Sequence, residues 1–290
     1  MHGKSKVLVT GSAGMLGTNL LRMLSFKDIV GFSSSELDVS NVSEVLEVLS
    51  RENPDIIIHT AAFTNVELCE DELDKAYSIN AMGTQNLVNY CINKDILFVY
   101  ISSTGIYGQE KRNRHYNEFD RVNPTTVHHK TKHAGEKIVS NHLNKYLIIR
   151  TGWLFGGDKE HQKNFVYKRY LEAKNATVIQ SDTSQIGNPT SILNLIEQIE
   201  VLIKREQYGI FNCVNNADNV SRYDYVNKIV ELFELGCHVK PVNRNSFKRK
   251  AAVSPNESAI NYKLDLLNLN VMKSWDESLE EYIKYLRKEI

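Results

Sequence analysis

The feature that most constrains the fold is a glycine-rich segment near the N-terminus, Val7–Leu21. It opens on four apolar or β-branched residues, which is typical of a buried strand. Gly11, Gly14 and Gly17 follow at three-residue spacing, and leucines then recur at helical spacing. A strand, a glycine turn and a helix in this order bring the backbone close to a pyrophosphate and aim a helix N-terminus at it. The segment therefore predicts a dinucleotide site; a glycine turn without a ligand is the alternative.

Strand and helix patterns alternate after this segment. Short apolar runs at Ile29–Phe32, Ile56–Ile58, Leu97–Ile101 and Tyr146–Ile149 are separated by amphipathic stretches, one of which predicts a helix over Leu73–Asn93. Continuous apolar runs are typical of strands that helices cover on both faces. The sequence predicts an α/β fold with a doubly wound, Rossmann-like parallel sheet and ligands at the carboxyl ends of its strands.

The alternation becomes less regular after Arg150. We predict a dinucleotide-binding domain over residues 1–155 and a smaller C-terminal α/β substrate lobe over residues 156–290. Residues from about 191 to 214 have the pattern of one more helix and strand, so they are assigned to the first domain.

Composition excludes several classes of partner. The 290 residues include 35 basic and 35 acidic side chains, so nucleic acid and anionic membranes are not expected as partners. No apolar run approaches the length of a membrane span, and the first strand begins too early for a signal peptide. The four cysteines are scattered. Scattered cysteines are typical of reduced thiols, so the sequence predicts a cytoplasmic protein.

The end of the second strand bears on the choice of cofactor. It closes on Phe32, Ser33, Ser34 and Ser35, with no carboxylate to bind an adenosine ribose as in NAD-selective folds. No Arg or Lys is present there either, so a 2′-phosphate has only hydroxyl groups and backbone to bind. We expect NADPH, and NADH remains open.

Five further segments resemble one family, the dTDP-4-dehydrorhamnose reductases of the extended short-chain dehydrogenase superfamily. Ala61–Glu67 is similar to the family's A-A-Y-T-x-V-D, and Arg150–Gly156 to its R-T-x-W-x-[YF]-G. The other three are Asn80–Asn86, Lys163–Val166 (K-N-F-V) and Gln185–Ser191 (Q-x-G-x-P-T-S). These segments occur in the family's order along nearly the whole chain. The glycine spacing G-x-x-G-x-x-G is also the form that short-chain dehydrogenases use.

The resemblance implies reduction of a 4-keto nucleotide sugar by a nicotinamide cofactor. The family uses a Ser or Thr to orient the carbonyl, a Tyr as the acid, and a Lys four residues later to hold the nicotinamide ribose. Ser103 and Lys132 match two of these positions. His128 stands where the Tyr is expected, and His129 replaces the Gly that follows it. His128 is interpreted as a substitute acid that supplies or relays the proton, as the mark of a slow or inactive member, or as a surface histidine.

The resemblance also assigns binding residues. The expected cofactor contacts are Gly11, Gly14, Met15, Leu16, Gly17, Asp38, Val39, Ala61, Ala62, Phe63 and Lys132. The expected substrate contacts are Thr104, Trp153, Gln185 and Asn188. Structural alternatives remain: Asp38 as a helix cap, Trp153 as a core residue between the lobes, and the last two as turn residues.

Three functions follow as hypotheses. The first is an NAD(P)-dependent reductase of a nucleotide-linked 4-keto-6-deoxy sugar. The second is a dinucleotide-binding homologue with a regulatory or scaffold role, which the missing Tyr favours. The third is a sugar-nucleotide epimerase or dehydratase. No metal is expected, because His129 and His133 at i, i+4 lack a third ligand nearby. A homodimer remains open.

Overall fold

The computed structural model describes residues 5–108 and 114–290. The strands are β1 (Lys6–Thr10), β2 (Asp28–Phe32), β3 (Ile56–His59), β4 (Leu97–Ser103), β5 (Tyr146–Thr151), β6 (Leu154–Phe155), β7 (Val178–Asp182), β8 (Thr190–Ser191), β9 (Gly209–Asn212) and β10 (His238–Val242). The α-helices are α1 (Met15–Met23), α2 (Val42–Glu52), α3 (Val66–Asp71), α4 (Leu73–Tyr77), α5 (Gly83–Cys91), α6 (Val127–His142), α7 (Phe165–Lys174), α8 (Ile192–Lys204), α9 (Arg222–Leu232), α10 (Tyr262–Leu266) and α11 (Trp275–Glu289).

Among the described residues, the central sheet has six parallel strands in the order β2-β1-β3-β4-β5-β9. The chain leaves β1 toward β2 and then crosses back to β3 on the other side of β1, which makes a topological switch point between β1 and β3. Ligands of open α/β sheets bind at such a point, outside the carboxyl ends of the strands. The predicted doubly wound, Rossmann-like parallel sheet is confirmed.

Two apolar layers cover the sheet. On one face Val7, Val9 and Ile58 pack with the buried residues of α1 and α8, and on the other Leu8 and Ile57 pack with those of α2, α5 and α6. The inner strands β1, β3, β4 and β5 are buried along most of their length. Because helices cover both faces of these strands, their sequences are continuous apolar runs rather than alternating ones. β9 pairs with β5, so residues 191–214 add strand β9 to the central sheet and pack helix α8 against one of its faces. The division of the chain into two domains stays a prediction.

The C-terminal part has its own aromatic core. Phe155, Tyr225, Ile229, Tyr282 and Ile283 are buried together between α7, α9 and α11. Two short parallel strand pairs, β10 with β7 and β6 with β8, lie outside the central sheet. Within the described ranges, none of the helices has the length and apolar character needed to span a membrane.

The single helix predicted over Leu73–Asn93 is interrupted. α4 ends at Tyr77, a π-helical turn occupies Ser78–Met82, and α5 then continues to Cys91. A π-helical turn inserts one residue per turn and frequently occurs at functional sites. Hydrophobic periodicity does not reveal it, because the buried face continues through the turn.

Candidate active site

The glycine turn is shaped to receive a dinucleotide. Gly11 has φ +70°, and a Cβ there would lie 2.7 Å from the backbone nitrogen of Ala61. A Cβ on Gly17 would lie 2.3 Å from the carbonyl oxygen of Gly11. Gly14 is the N-cap of α1, and no side chain of the described residues caps that end. The first N–H groups of α1 are therefore free to bind a phosphate, so the turn fits a pyrophosphate.

The other predicted cofactor residues lie around this turn. Ala61, Ala62 and Phe63 form the loop after β3 that packs against Gly11. Leu16 is buried in α1 and Met15 begins that helix.

Asp38 and Val39 lie in the segment between β2 and α2. Val39 is buried against Gly83, whose Cβ would lie 2.6 Å from Cγ2 of Val39. The exposed Asp38 carboxylate accepts hydrogen bonds from the backbone and hydroxyl of Ser40, at 2.9 and 2.7 Å. Its contacts within the chain are thus local to this turn, and a role toward the cofactor stays a prediction.

Two charged side chains lie near the end of β2, and neither is expected there from the sequence. A carboxylate oxygen of Glu36 accepts hydrogen bonds from the backbone and hydroxyl of Ser33, at 2.8 and 2.7 Å. The Arg51 guanidinium lies 5.7 Å from the centre of the Phe32 ring. The expectation that only hydroxyl groups and backbone surround this strand end is therefore wrong, because Glu36 reaches Ser33 through a local turn and tertiary folding brings Arg51 from α2.

Asn80, in the π-helical turn, forms hydrogen bonds that hold the loop after β3 in place. Its side chain accepts a hydrogen bond from the backbone N–H of Phe63 at 2.7 Å and donates one to the Phe63 carbonyl at 3.1 Å. It also donates to the hydroxyl of Thr131 on α6 at 2.9 Å. From the sequence, Asn80 is a member of the Asn80–Asn86 motif and has no predicted role in the site. Its place in that motif, one turn before Gly83-Thr84, is the signal that could identify it.

A cavity of about 550 Å³ opens between the sheet and the C-terminal part. It is lined by four of the predicted site residues: Ser103, His128, Trp153 and Gln185. The Ser103 hydroxyl oxygen accepts a hydrogen bond from the backbone N–H of Gly105 at 3.2 Å, which leaves its own proton free to be donated. The structure therefore brings together residues that are far apart in sequence.

Two predicted substrate residues lie outside this lining. Thr104 is buried and packs against Gly152, whose Cβ would lie 2.5 Å from the Thr104 hydroxyl oxygen. Asn188 is buried and bonds to backbone, donating to the carbonyls of Asn215 and Ala259 and accepting from the N–H of Ala259. These bonds occupy its amide and reach residues 27 and 71 positions away in the chain, so Asn188 joins distant segments rather than forming a local turn. A substrate contact by Asn188 stays a prediction.

His128 lies in an environment that opposes a positive charge. Burial, the neighbouring His129 and the Lys132 ammonium together lower the pKa of His128 to about 3, although a bond to the Phe63 carbonyl acts the other way. Its ring nitrogen Nδ1 is 3.1 Å from that carbonyl oxygen. A proton donor at neutral pH would need the imidazolium form, so this environment argues against the acid role predicted for His128.

His129 fills the space over Gly105. A Cβ on Gly105 would lie 2.1 Å from Cε1 of the His129 ring, and the Nδ1 of His129 is 3.0 Å from the Thr126 hydroxyl. Burial lowers the pKa of His129 to about 4. His133 instead lies 3.7 Å from a carboxylate oxygen of Glu136, so the two histidines have different partners.

Lys132 lies one helical turn after His128 on α6. It is 4% exposed, and its ammonium nitrogen lies 4.0 Å from the centre of the Tyr100 ring. Burial lowers the pKa of Lys132 to about 7, with Glu136 acting in the opposite direction. The contacts within the chain therefore stabilise the Lys132 ammonium poorly, which leaves it available to bind a ligand.

Trp153 belongs to a charged cluster in the same cavity. It has φ +46°, its indole N–H donates to a Glu257 carboxylate oxygen at 2.8 Å, and the Arg222 guanidinium lies 3.4 Å from the ring centre. Burial lowers the pKa of Arg222 to about 10 and raises that of Glu257. Arg169 and Arg249 also line the cavity. The sequence alone does not predict Arg169, Arg222 or Glu257 as site residues, since the strand and helix patterns assign no partner to an isolated charged residue.

We predict that Lys132→Met stabilises the chain without cofactor and weakens NADPH binding. The free energy of unfolding should rise by about 2 to 4 kcal/mol below pH 7, where the folded state bears the whole penalty of the buried ammonium. Between about pH 7 and 10 the folded Lys132 is already neutral while the unfolded one is charged, so the gain should shrink as pH rises.

Urea unfolding at pH 6 and pH 9 measures this effect, and calorimetry with NADPH measures the loss of affinity. Lys130→Met, at an exposed position of the same helix, is the matched control and should change neither. Unchanged stability at pH 6 would contradict the prediction.

A Rossmann-like sheet with a glycine turn at its switch point and a Lys-bearing helix beside the cavity defines a dinucleotide-binding α/β protein. The chain belongs to one family within that class. The model of the RmlD substrate binding domain matches residues 5–288, and the chain is therefore a member of this family.

Individual relatives agree with this assignment. The dTDP-4-dehydrorhamnose reductase of Aggregatibacter actinomycetemcomitans is 31% identical over 76% of each chain. The spore coat polysaccharide biosynthesis protein SpsK of Bacillus subtilis is 29% identical over 97% of each chain. The crystal structure of the Bacillus anthracis dTDP-4-dehydrorhamnose reductase in complex with NADP is 33% identical, with a TM-score of 0.92 over 97% of this chain and 99% of that one. The predicted family is confirmed.

Proposed function

We propose that this chain is an NADPH-dependent reductase of a nucleotide-linked 4-keto-6-deoxy sugar. The observation that carries the proposal is the cavity of about 550 Å³ lined by Ser103, His128 and three arginines. His128 is bonded to Phe63, in the loop that packs against Gly11 of the glycine turn, so the cavity adjoins the cofactor site. The NADP in the Bacillus anthracis relative supports NADPH as the cofactor.

The chain's own residues have distinct roles in this proposal. When bound, the reduced nicotinamide supplies the hydride. The Ser103 hydroxyl donates to the carbonyl oxygen of the substrate, and the Lys132 ammonium holds the nicotinamide ribose. Arg169, Arg222 and Arg249 provide the positive charge that a nucleotide pyrophosphate needs. Trp153 and Gln185 contact the sugar nucleotide from the C-terminal part.

The reaction should be slow. The family's Tyr is replaced by His128, which is neutral near pH 7 because burial holds its pKa at about 3. General acids typically contribute a factor of about 10² to 10⁴ to a rate. Water in the cleft or Lys132, whose pKa is about 7, then has to provide the proton.

The name of the Bacillus subtilis relative supports a place in polysaccharide biosynthesis. The four cysteines are free and buried, which suits a reducing compartment, and we propose the cytoplasm. A homodimer is also proposed, because α3 to α5 expose Leu68, Leu73 and Met82.

A second function is supported by one observation. The neutral His128 in place of an acid suits a chain that binds cofactor and nucleotide sugar without turnover, as a regulatory or scaffold subunit. An epimerase or dehydratase remains the third hypothesis, and it is less well supported because those enzymes usually need the same Tyr.

The test combines binding with turnover. Calorimetry with NADPH and NADH should show binding, with NADPH bound more tightly. NADPH oxidation should then be measured with dTDP-4-keto-6-deoxyglucose at high enzyme concentration. Slow, substrate-dependent oxidation supports the reductase, and cofactor binding without oxidation supports the regulatory alternative. If neither cofactor binds, the proposal built on the glycine turn is wrong.

A further inference from the structure

The hydrogen bond between His128 and Phe63 determines which ring nitrogen carries the proton. The Phe63 carbonyl oxygen can only accept a hydrogen bond, and it lies 3.1 Å from Nδ1 of His128. Nδ1 therefore carries the proton. A neutral imidazole has one ring proton, so Nε2 is left with a lone pair and acts as an acceptor.

This orientation is fixed by the neighbouring contacts. Asn80 bonds to both the N–H and the carbonyl of Phe63, at 2.7 and 3.1 Å, so the carbonyl cannot turn away. Asn80 also donates to the Thr131 hydroxyl, which in turn donates to the His128 backbone carbonyl at 2.7 Å. The loop, the π-helical turn and α6 thus form one connected network around the ring.

Nε2 is available to a ligand. None of the described residues forms a hydrogen bond with Nε2. The atom is also not fully buried, so a ligand can reach it. His128 lines the same cavity as Ser103 and Gly152. Charges nearby reinforce the neutral state, since the Lys132 and Lys163 ammonium groups both act against a proton on this ring.

Because Nε2 of His128 accepts a hydrogen bond, the ligand must supply the proton of that bond. A family member with Tyr would present a phenol proton to a keto oxygen. Here a keto oxygen would face the lone pair of Nε2, with no proton between two acceptors. A hydroxyl group could instead donate its proton to Nε2 and accept the free proton of Ser103, whose oxygen is already bonded to the Gly105 N–H at 3.2 Å.

We propose that His128 is a specificity-determining hydrogen-bond acceptor, and that the cavity prefers a nucleotide-linked 6-deoxy sugar with a hydroxyl group rather than a keto oxygen at the reacting carbon. This inference rests on the proposed function, because it assumes that the cavity binds nucleotide sugars. It means that the alcohol form of the sugar binds more tightly than the ketone form.

Calorimetry on the NADP⁺-saturated protein tests the preference. The probes are dTDP-6-deoxyglucose, which has the 4-hydroxyl, and dTDP-4-keto-6-deoxyglucose. The hydroxyl sugar should bind about 5- to 100-fold more tightly, the range expected when one of two ligands leaves a buried polar group unmatched. His128→Phe should remove the preference and His128→Tyr should shift it toward the keto sugar. His142→Phe, at an exposed position of the same helix, is the matched control and should keep the preference.

A second readout does not depend on the sugar. Long-range ¹⁵N–¹H spectra of the ligand-free protein, with the His128 signals assigned by their loss in His128→Phe, should show a protonated Nδ1 and an unprotonated Nε2 at pH 7. A proton on Nε2 overturns the inference. Equal or tighter binding of the keto sugar also overturns it while leaving the proposed function intact, whereas failure of both sugars to bind overturns the proposed function as well.

Discussion

Replacing His128 by Tyr is expected to raise the rate of NADPH oxidation with dTDP-4-keto-6-deoxyglucose about 100-fold, within the range that general acids contribute. The substitution adds a phenol proton at a position that lines the same cavity as Ser103. Lys132 lies one turn further along α6, where its positive charge would lower the pKa of that phenol toward neutrality. The Phe63 carbonyl would lose its bond from His128 but would keep the one from Asn80.

Initial rates under saturating NADPH measure this gain. His128→Phe is the matched control, because it has the aromatic ring of Tyr without the hydroxyl group, and it should show no gain. A pH profile of kcat adds a second criterion, since only the Tyr variant should gain a new titrating acid. Fast turnover by the wild type that both variants reduce would contradict the prediction and would make His128 a working acid.

Arg150→Met is expected to lower the free energy of unfolding by about 3 to 5 kcal/mol, the usual loss when one partner of a buried ion pair is removed. Arg150 on β5 bonds to both carboxylate oxygens of Glu136 on α6, at 3.0 and 2.8 Å, and both side chains are about 5% exposed or less. Burial alone would raise the pKa of Glu136, but the nearby His133 ring and the hydrogen bonds and charge of Arg150 hold it below its ordinary value.

The same guanidinium links several elements. It donates to the Tyr107 hydroxyl at 3.2 Å, and that hydroxyl donates to the Asn212 side chain on β9 at 2.8 Å. The pair therefore fixes α6, with Lys132, onto the sheet. Loss of Arg150 should also weaken NADPH binding for this reason.

Urea unfolding measures the effect of Arg150→Met. The double variant Glu136→Gln/Arg150→Met should be more stable than Arg150→Met alone, because no buried carboxylate is then left without its partner. Lys284→Met, which breaks an exposed ion pair with Glu280, is the control and should change the free energy of unfolding by less than about 1 kcal/mol. If Arg150→Met also lowers the free energy of unfolding by less than about 1 kcal/mol, the buried pair does not stabilise the fold.

Local sequence was sufficient for the architecture. Strands buried on both faces must be apolar throughout, so runs such as Ile56–Ile58 identify a parallel sheet before any tertiary contact is known. Gly11 and Gly17 identify the turn, since each lies where a Cβ would meet backbone. The family motifs located Ser103, His128 and Lys132 by position alone.

Tertiary structure decided what those residues can do. The proton on Nδ1 of His128 follows from the Phe63 carbonyl, 65 residues away in sequence, and its low pKa follows from burial. The structural role of Asn188 follows from its bonds to Asn215 and Ala259, which no local pattern links to it. Residue identity and spacing determine the backbone, whereas protonation and hydrogen-bond partners depend on which distant groups the fold brings within about 3 Å.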